Sequence, residues 1–286
     1  MIRCQNLRKR FGTNEVLKGI DLEIGKGTIF GMLGPSGAGK TTLIRILTGQ
    51  IKSDGGSVTV FRRDPQKLSG DEKKKFGIMM DGFGLYERFS CRDNLAVFAD
   101  LYGISKDRIP EVLREVGLEG AAGSAASDLS KGMRVRLQLA RAFLHAPEIL
   151  FLDEPTSGLD PQTMRQIHRI ILDKKETGAT IFLTTHNMEE AYRLCDDIVL
   201  LNEGTIVEEG RPEEICRRYD HQKRIRIHLE NGEDVALERD RRIADEISSL
   251  FKMGKVVTIH STEPTLETVF LELTGRGFDT DMQEGA

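Results

Sequence analysis

The sequence is short of cysteine. Cys4, Cys91, Cys195 and Cys216 are the four it has in 286 residues, and no two stand at a metal-binding or redox spacing. Neither a disulfide framework nor a thiolate metal site is legible, which suits a reducing cytosol. Long apolar runs are missing too. No stretch approaches the roughly 18–20 residues needed to span a bilayer, so work at a membrane would need another chain to do the crossing. The opening residues, MIRCQNLRKRFG, hold no apolar core, and a secretory signal is not expected there. Excess positive charge is absent: the formal net charge is -4, with 30% charged residues. The basic clusters at Arg62-Arg63, Lys73-Lys74-Lys75, Arg217-Arg218 and Arg241-Arg242 are short and sit among acids, as solvated faces do. No nucleic acid partner is expected from such a surface.

What is present is concentrated in residues 34–42, which read GPSGAGKTT and fit the spacing G-x-x-x-x-G-K-[ST]. An apolar run, IFGML, precedes this stretch, and TTLIRIL follows it with helical periodicity. A strand, a glycine-rich turn and a helix make a phosphate cradle. The glycines free backbone N–H groups to point inward, the helix N-terminus adds partial positive charge, and Lys40 adds a full one. Candidate phosphate-binding residues are Gly34, Pro35, Ser36, Gly37, Ala38, Gly39, Lys40, Thr41 and Thr42, with the Thr41 hydroxyl also a candidate Mg²⁺ ligand.

Along the chain, 2–7 reads as an edge strand and 16–24 as another, followed by strands at 57–61 and 76–80. Residues 91–146 are mostly helical in pattern. Leu95, Phe98, Leu101 and Tyr102 share one face, Met133, Leu137, Ala140 and Leu144 another, and the small-residue stretch 120–127 links helices. Strands at 148–152, 180–184 and 198–201 then alternate with helices at 161–175 and 188–194, before a short strand at 205–207. Such alternation predicts a largely parallel sheet covered on both faces, with the 91–146 block projecting from it. From Tyr219 the pattern changes to a hairpin about Asn231-Gly232, a helix over 243–251, a strand over 256–260 and a helix over 265–273.

The run Ile149-Leu150-Phe151-Leu152-Asp153-Glu154 delivers two carboxylates at the end of a buried strand, where open α/β sheets bind ligands. Beside a phosphate loop, Asp153 is suited to the Mg²⁺ shell and Glu154 to polarising a water. Ser130 fits the N-cap of a helix beginning near Lys131.

The order of these motifs resembles an ATP-binding-cassette (ABC) nucleotide-binding domain, over residues 1 to about 218. LSKGM at 129–133 is similar to the family's signature, SGLD at 157–160 to its loop that crosses to a partner subunit, and His186 to its switch histidine. The resemblance implies an α/β P-loop NTPase core of the ABC ATPase kind, with an antiparallel β subdomain and a helical subdomain over about 91–146. It also implies ATP and Mg²⁺ as the bound species, with Phe11 stacking on adenine. Ser130, Gly132 and Asp160 are implied to work on nucleotide shared with a second ATPase subunit, identical or not, and Lys40, Glu154 and His186 to be catalytic. Two departures stand out. Lys131 replaces the usual glycine of LSGGQ and brings an extra cation. Asp81 stands where the family carries glutamine; a further Mg²⁺ ligand and a second anion beside Glu154 are both open readings.

Residues 219–275 are expected to form a small C-terminal α+β domain, and 276–286 a flexible tail. The segment 82–89 reads as part of a docking groove for a short helix of a separately encoded transmembrane permease subunit. The resemblance is nearest to the branches that export drugs, antibiotics and bacteriocin peptides. It implies a cytoplasmic subunit, peripheral on the inner face of the membrane, that energises an exporter through ATP-dependent dimerisation. A non-transport ABC ATPase acting on ribosomes or nucleic acid is the alternative. The single phosphate loop and the want of sustained heptads weigh against it.

Overall fold

The computed structural model describes residues 1–80, 84–221, 224–238, 243–261 and 264–275. Its centre is a six-stranded sheet built from β3 (Ile29–Leu33), β5 (Phe76–Met79), β6 (Ile149–Asp153), β7 (Thr180–Thr185), β8 (Asp197–Asn202) and β9 (Thr205–Gly210). The order across the sheet is β5-β6-β7-β3-β8-β9, parallel except for β9, which returns from β8 by a turn at Glu203-Gly204. Strands β3, β6 and β7 are buried along their whole length. This is why they read as continuous apolar runs and not as alternating ones.

Helices cover both faces. On one side α1 (Lys40–Leu47) and an antiparallel sheet of β1 (Ile2–Phe11), β2 (Asn14–Ile24) and β4 (Gly55–Val60) enclose one apolar core, which includes Ile20, Phe30, Leu43 and Phe151. On the other, α3 (Cys91–Tyr102), α4 (Arg108–Glu115), α5 (Lys131–Phe143), α6 (Pro161–Glu176), α7 (Met188–Leu194) and α8 (Pro212–Arg218) share a second. A single turn, α2 (Gly70–Lys73), opened by a Ser69–Glu72 capping box, precedes β5. Between α4 and α5 the small-residue stretch folds as two short 3₁₀ turns, Glu119–Ala121 and Ala126–Asp128.

Two expectations from sequence fail. The first strand is not an edge: the small sheet runs β2-β1-β4, with β1 in the middle. Alternating burial marks a strand with one covered face and says nothing about how many neighbours it has. Leu101 does not join Leu95 in the core; it is 68% exposed, since the turn of α3 that carries it points to solvent.

After α8 come β10 (Arg224–Leu229), β11 (Asp234–Glu238), α9 (Ile243–Lys252) and β12 (Val256–Ser261), the strands forming an antiparallel sheet in the order β11-β10-β12. The last helix, α10 (Leu266–Thr274), leaves this appendage. Its Leu266, Val269 and Phe270 are buried in the same core as α7 and α8. The chain therefore closes back on the body formed by residues 1–218, across the boundary drawn there.

Candidate functional site

Three neighbouring strand ends make the site. In the parallel register Leu33 of β3 lies beside Thr185 of β7, and Thr184 of β7 beside Asp153 of β6. The loops leaving these C-terminal ends carry residues 34–39, Glu154 and His186 to one place, though they are far apart in sequence.

Backbone geometry shapes the cradle. Gly39 has φ +112, and a Cβ on it would stand 2.8 Å from Leu17 Cδ2. A Cβ on Gly34 would meet the Leu201 carbonyl oxygen at 2.4 Å. Glycine is therefore required at both positions. Gly39 caps α1 without any side-chain hydrogen bond, which leaves the first N–H groups of that helix available to an anion.

Lys40 is buried, and its ammonium donates to the carbonyls of Gly34 (2.6 Å) and Pro35 (3.1 Å) while lying 3.2 Å from Glu154 Oε1. The Thr41 hydroxyl donates to Asp153 Oδ2 at 2.8 Å, and the Thr184 hydroxyl donates to the other oxygen of Asp153. His186 Nδ1 is 2.6 Å from Glu154 Oε2. A ring nitrogen facing a carboxylate donates to it, so the proton sits on Nδ1. Glu154 has φ +50, a left-handed backbone that few side-chain-bearing residues adopt, and its amide donates to the Thr184 carbonyl at 3.0 Å. Strain of this kind costs about 1–3 kcal/mol and gathers where a side chain must be aimed.

A cavity of 590 Å³ opens on this cluster. It is bounded by most of residues 35–42, by Asp153, Glu154, Ser157 and His186, and by Lys131, Arg134 and Gln138 of α5. Gly34 and Ala38 support the loop without lining the cavity: Gly34 accepts from Lys40, and Ala38 is buried. Phe11 does not line it either. Its ring is half-exposed at the end of β1, with Lys9 Nζ 5.2 Å from the ring centre, in the hairpin whose Val16 does reach the cavity.

Ser130, Gly132 and Asp160 also lie off the cavity and are gathered into a separate unit. Ser130 is the N-cap of α5, accepting from the Met133 amide at 3.3 Å. A Cβ on Gly132 would stand 2.5 Å from Thr163 Cγ2, so α5 and α6 touch there. Thr163 donates through its hydroxyl (2.6 Å) and amide (3.0 Å) to Asp160, the N-cap of α6. These bonds, the hydroxyl's first, hold the Asp160 carboxyl below its ordinary range. Lys131, the departure within LSKGM, donates to the Gly158 carbonyl at 3.2 Å and joins the same unit. Asp81 lies outside the described residues.

Sequence reasoning missed Thr184, whose hydroxyl is wholly buried and orients Asp153. The signal was its place among threonines in an otherwise apolar strand, TIFLTT. Thr41 and Asp153 are hard oxygen donors 2.8 Å apart, which fits Mg²⁺. Among the described residues no cluster of three or more His, Cys, Asp or Glu could hold a metal alone.

The family profile described as ABC transporter matches residues 17–157. A fluoroquinolones export ATP-binding protein of Mycobacterium tuberculosis (strain ATCC 25618 / H37Rv) is 38% identical, over 96% of this chain and 94% of its own. A linearmycin resistance ATP-binding protein of Bacillus subtilis (strain 168) is 32% identical, over 96% and 99%. Among solved structures, a dimeric post-hydrolysis state of an ATP-binding cassette bound to ADP and Pi superposes with a TM-score of 0.66. It is 27% identical, and the match covers 74% of this chain and 98% of that one. The chain that brings the phosphate cradle, the carboxylates ending β6 and the histidine after β7 together aligns with such export ATP-binding proteins nearly end to end: it belongs to the ABC transporter family.

Proposed function

We propose that this chain binds ATP between the 34–42 loop and Asp153-Glu154 and hydrolyses it to drive an exporter whose membrane-spanning subunits are separate chains. The observation that carries this reading is the convergence of Lys40, Thr41, Asp153, Glu154 and His186 on one cavity. Lys40 and the first amides of α1 hold the phosphate oxygens. Thr41 and Asp153 hold Mg²⁺, which supplies charge neutralisation at the phosphates. Glu154 orients the attacking water and takes its proton, while His186 fixes that carboxylate through Nδ1. Phe11 serves as the adenine platform. The unit of Ser130, Gly132 and Asp160, exposed beside the cavity, meets the nucleotide of a second copy or a related cassette, as befits a helix N-terminus with a free face.

No helix among the described residues is long and apolar enough to cross a membrane. A groove of 610 Å³ between β5, α3 and α5 suits a short helix from a permease. Phe98, Leu101 and Tyr102 give it an apolar wall, with Lys73 and Lys74 at its margin. Burial holds His145, stacked on Tyr102, below its ordinary range. Within 82–89, residues 82 and 83 lie outside the described residues, while Tyr86 and Phe89 are exposed, their rings tilted against each other with centres 5.2 Å apart. The names of the relatives support export of drug-like or antibiotic cargo, and attachment to the inner face of the membrane follows from that role.

The test is phosphate release by the chain alone, then with Glu154→Gln, which is expected to stop turnover. Affinity purification from its own cells is expected to bring down a polytopic membrane protein. Recovery of ribosomes in its place would turn the reading toward a non-transport ATPase.

A further inference from the structure

Beneath the site lies a polar cluster that the mechanism above does not use. Thr156, Glu190 and His168 come from the loop after β6, from α7 and from α6, and their exposures are 3%, 1% and 9%. The Thr156 hydroxyl donates to Glu190 Oε1 at 2.7 Å, and His168 Nε2 stands 3.1 Å from the same oxygen. Glu190 Oε2 is buried with no hydrogen-bond partner. A carboxylate sunk in a core and half satisfied is poor value for stability alone; an apolar residue at that position of α7 would bury without the desolvation cost. Its presence there asks for another reason.

The covalent path supplies one. Glu154 is two residues before Thr156, and His186 is four before Glu190, on the loop that Asn187 turns into α7 by accepting from the Glu190 amide at 3.0 Å. Glu154 and His186 meet at 2.6 Å. The two loops are therefore clamped twice, once at the surface by the reacting pair and once in the core by Thr156 and Glu190. The Thr156 carbonyl also accepts from the Leu159 amide at 3.2 Å, so the same clamp sets the 157–160 loop.

We propose that Glu190 is a positioning residue for hydrolysis: through Thr156 it fixes the approach of Glu154 to His186, with His168 locking its orientation. This rests on the reading of Glu154 as the group that activates water. It acts on the chemical step, since the 34–42 loop that joins β3 to α1 is built outside the clamp and meets it where Lys40 touches Glu154. A free hinge between the two loops would let the Glu154 carboxylate wander, and misplacement by about 1 Å is enough to cost roughly 10²-fold in rate.

The experiment compares Thr156→Val, Thr156→Ser and Glu190→Ala in the full chain, with Glu154→Gln as control. It measures kcat and KM for ATP, the affinity for a fluorescent ATP analogue, and the melting temperature. Thr156→Val is expected to lower kcat at least about tenfold with analogue affinity no weaker and KM no higher, and Thr156→Ser to restore kcat. Wild-type kcat in Thr156→Val, or a melting-temperature loss without a kcat change, overturns the proposal. Should Glu190→Ala fail to fold, Thr156→Val and its serine rescue still decide the matter. Full hydrolysis by Glu154→Gln would sink the underlying site reading; a dead Glu154→Gln beside a fully active Thr156→Val sinks only the clamp.

Discussion

Lys40 Nζ stands 3.2 Å from Glu154 Oε1, so the cation meant for phosphate and the carboxylate meant for water hold each other. The ammonium has two further partners, the carbonyls of Gly34 and Pro35. A triphosphate entering the cradle must win Lys40 from all three. Replacing Glu154 by glutamine removes the charged competitor, so ATP is expected to bind at least as tightly while hydrolysis falls by about 10²–10⁴, the usual worth of a general base. Lys40→Met is expected to lose binding and hydrolysis together. Nucleotide titration beside phosphate release checks both; weaker binding in Glu154→Gln would contradict the competition.

Gly132 is fixed by contact and not by backbone angle. The methyl of alanine there would press to 2.5 Å from Thr163 Cγ2, and Thr163 is held by Asp160. Gly132→Ala is expected to push the start of α5 away from α6 and disturb the Ser130 turn. Monomeric nucleotide binding should survive, because the cradle is elsewhere, while ATP-dependent pairing of cassettes is lost. Size-exclusion chromatography of the variant in a Glu154→Gln background, with and without ATP, reads this directly.

The phosphate cradle and the Asp153-Glu154 strand end were legible because each is local: a handful of consecutive residues sets the loop, the helix start and the charge. The N-cap role of Ser130 was legible for the same reason. What the sequence hid was pairing across long separations. Nothing within 2–7 tells that β4 would come back to flank it, and the exposure of Leu101 depends on where α3 ends against solvent. Glu190 sits in MEEAYRL beside Glu189, which is paired with Arg193 at the surface. By composition the two glutamates are alike, and only the packing of α6 and the 156 loop over one of them separates their fates. The return of α10 to the ATPase body was likewise invisible, since an amphipathic helix states that it must be covered and not by what.

The four cysteines are all buried. Burial, with help from the carboxylate of Asp21, pushes the Cys4 thiol up to about 12. Burial also raises Cys195 strongly, with Glu190 and Asp196 adding to it. An unfolded thiol ionises near 8.5, so above that pH the unfolded chain sheds protons that the native chain keeps. Stability is therefore expected to fall as pH rises past about 8.5, with no thiol contribution below it. The native protein should give almost no reaction with Ellman's reagent at pH 8, and four equivalents in guanidinium. Rapid labelling of Cys4 in the native state would contradict this burial.

Phe270 and Phe251 offer a paired test of where the C-terminal region belongs. Phe270 of α10 is 1% exposed in the core shared with α7 and α8, whereas Phe251 of α9 is 55% exposed. Cutting a buried phenylalanine to alanine costs about 3–5 kcal/mol through lost transfer energy and the cavity left behind. A surface change away from special features stays within about 0.5 kcal/mol. Phe270→Ala is thus expected to lower the unfolding midpoint of the ATPase body itself, followed by loss of nucleotide protection against denaturant, while Phe251→Ser leaves it in place. Were α10 part of an independent appendage, Phe270→Ala would unfold only a minor, separate transition and the nucleotide-protected one would not move.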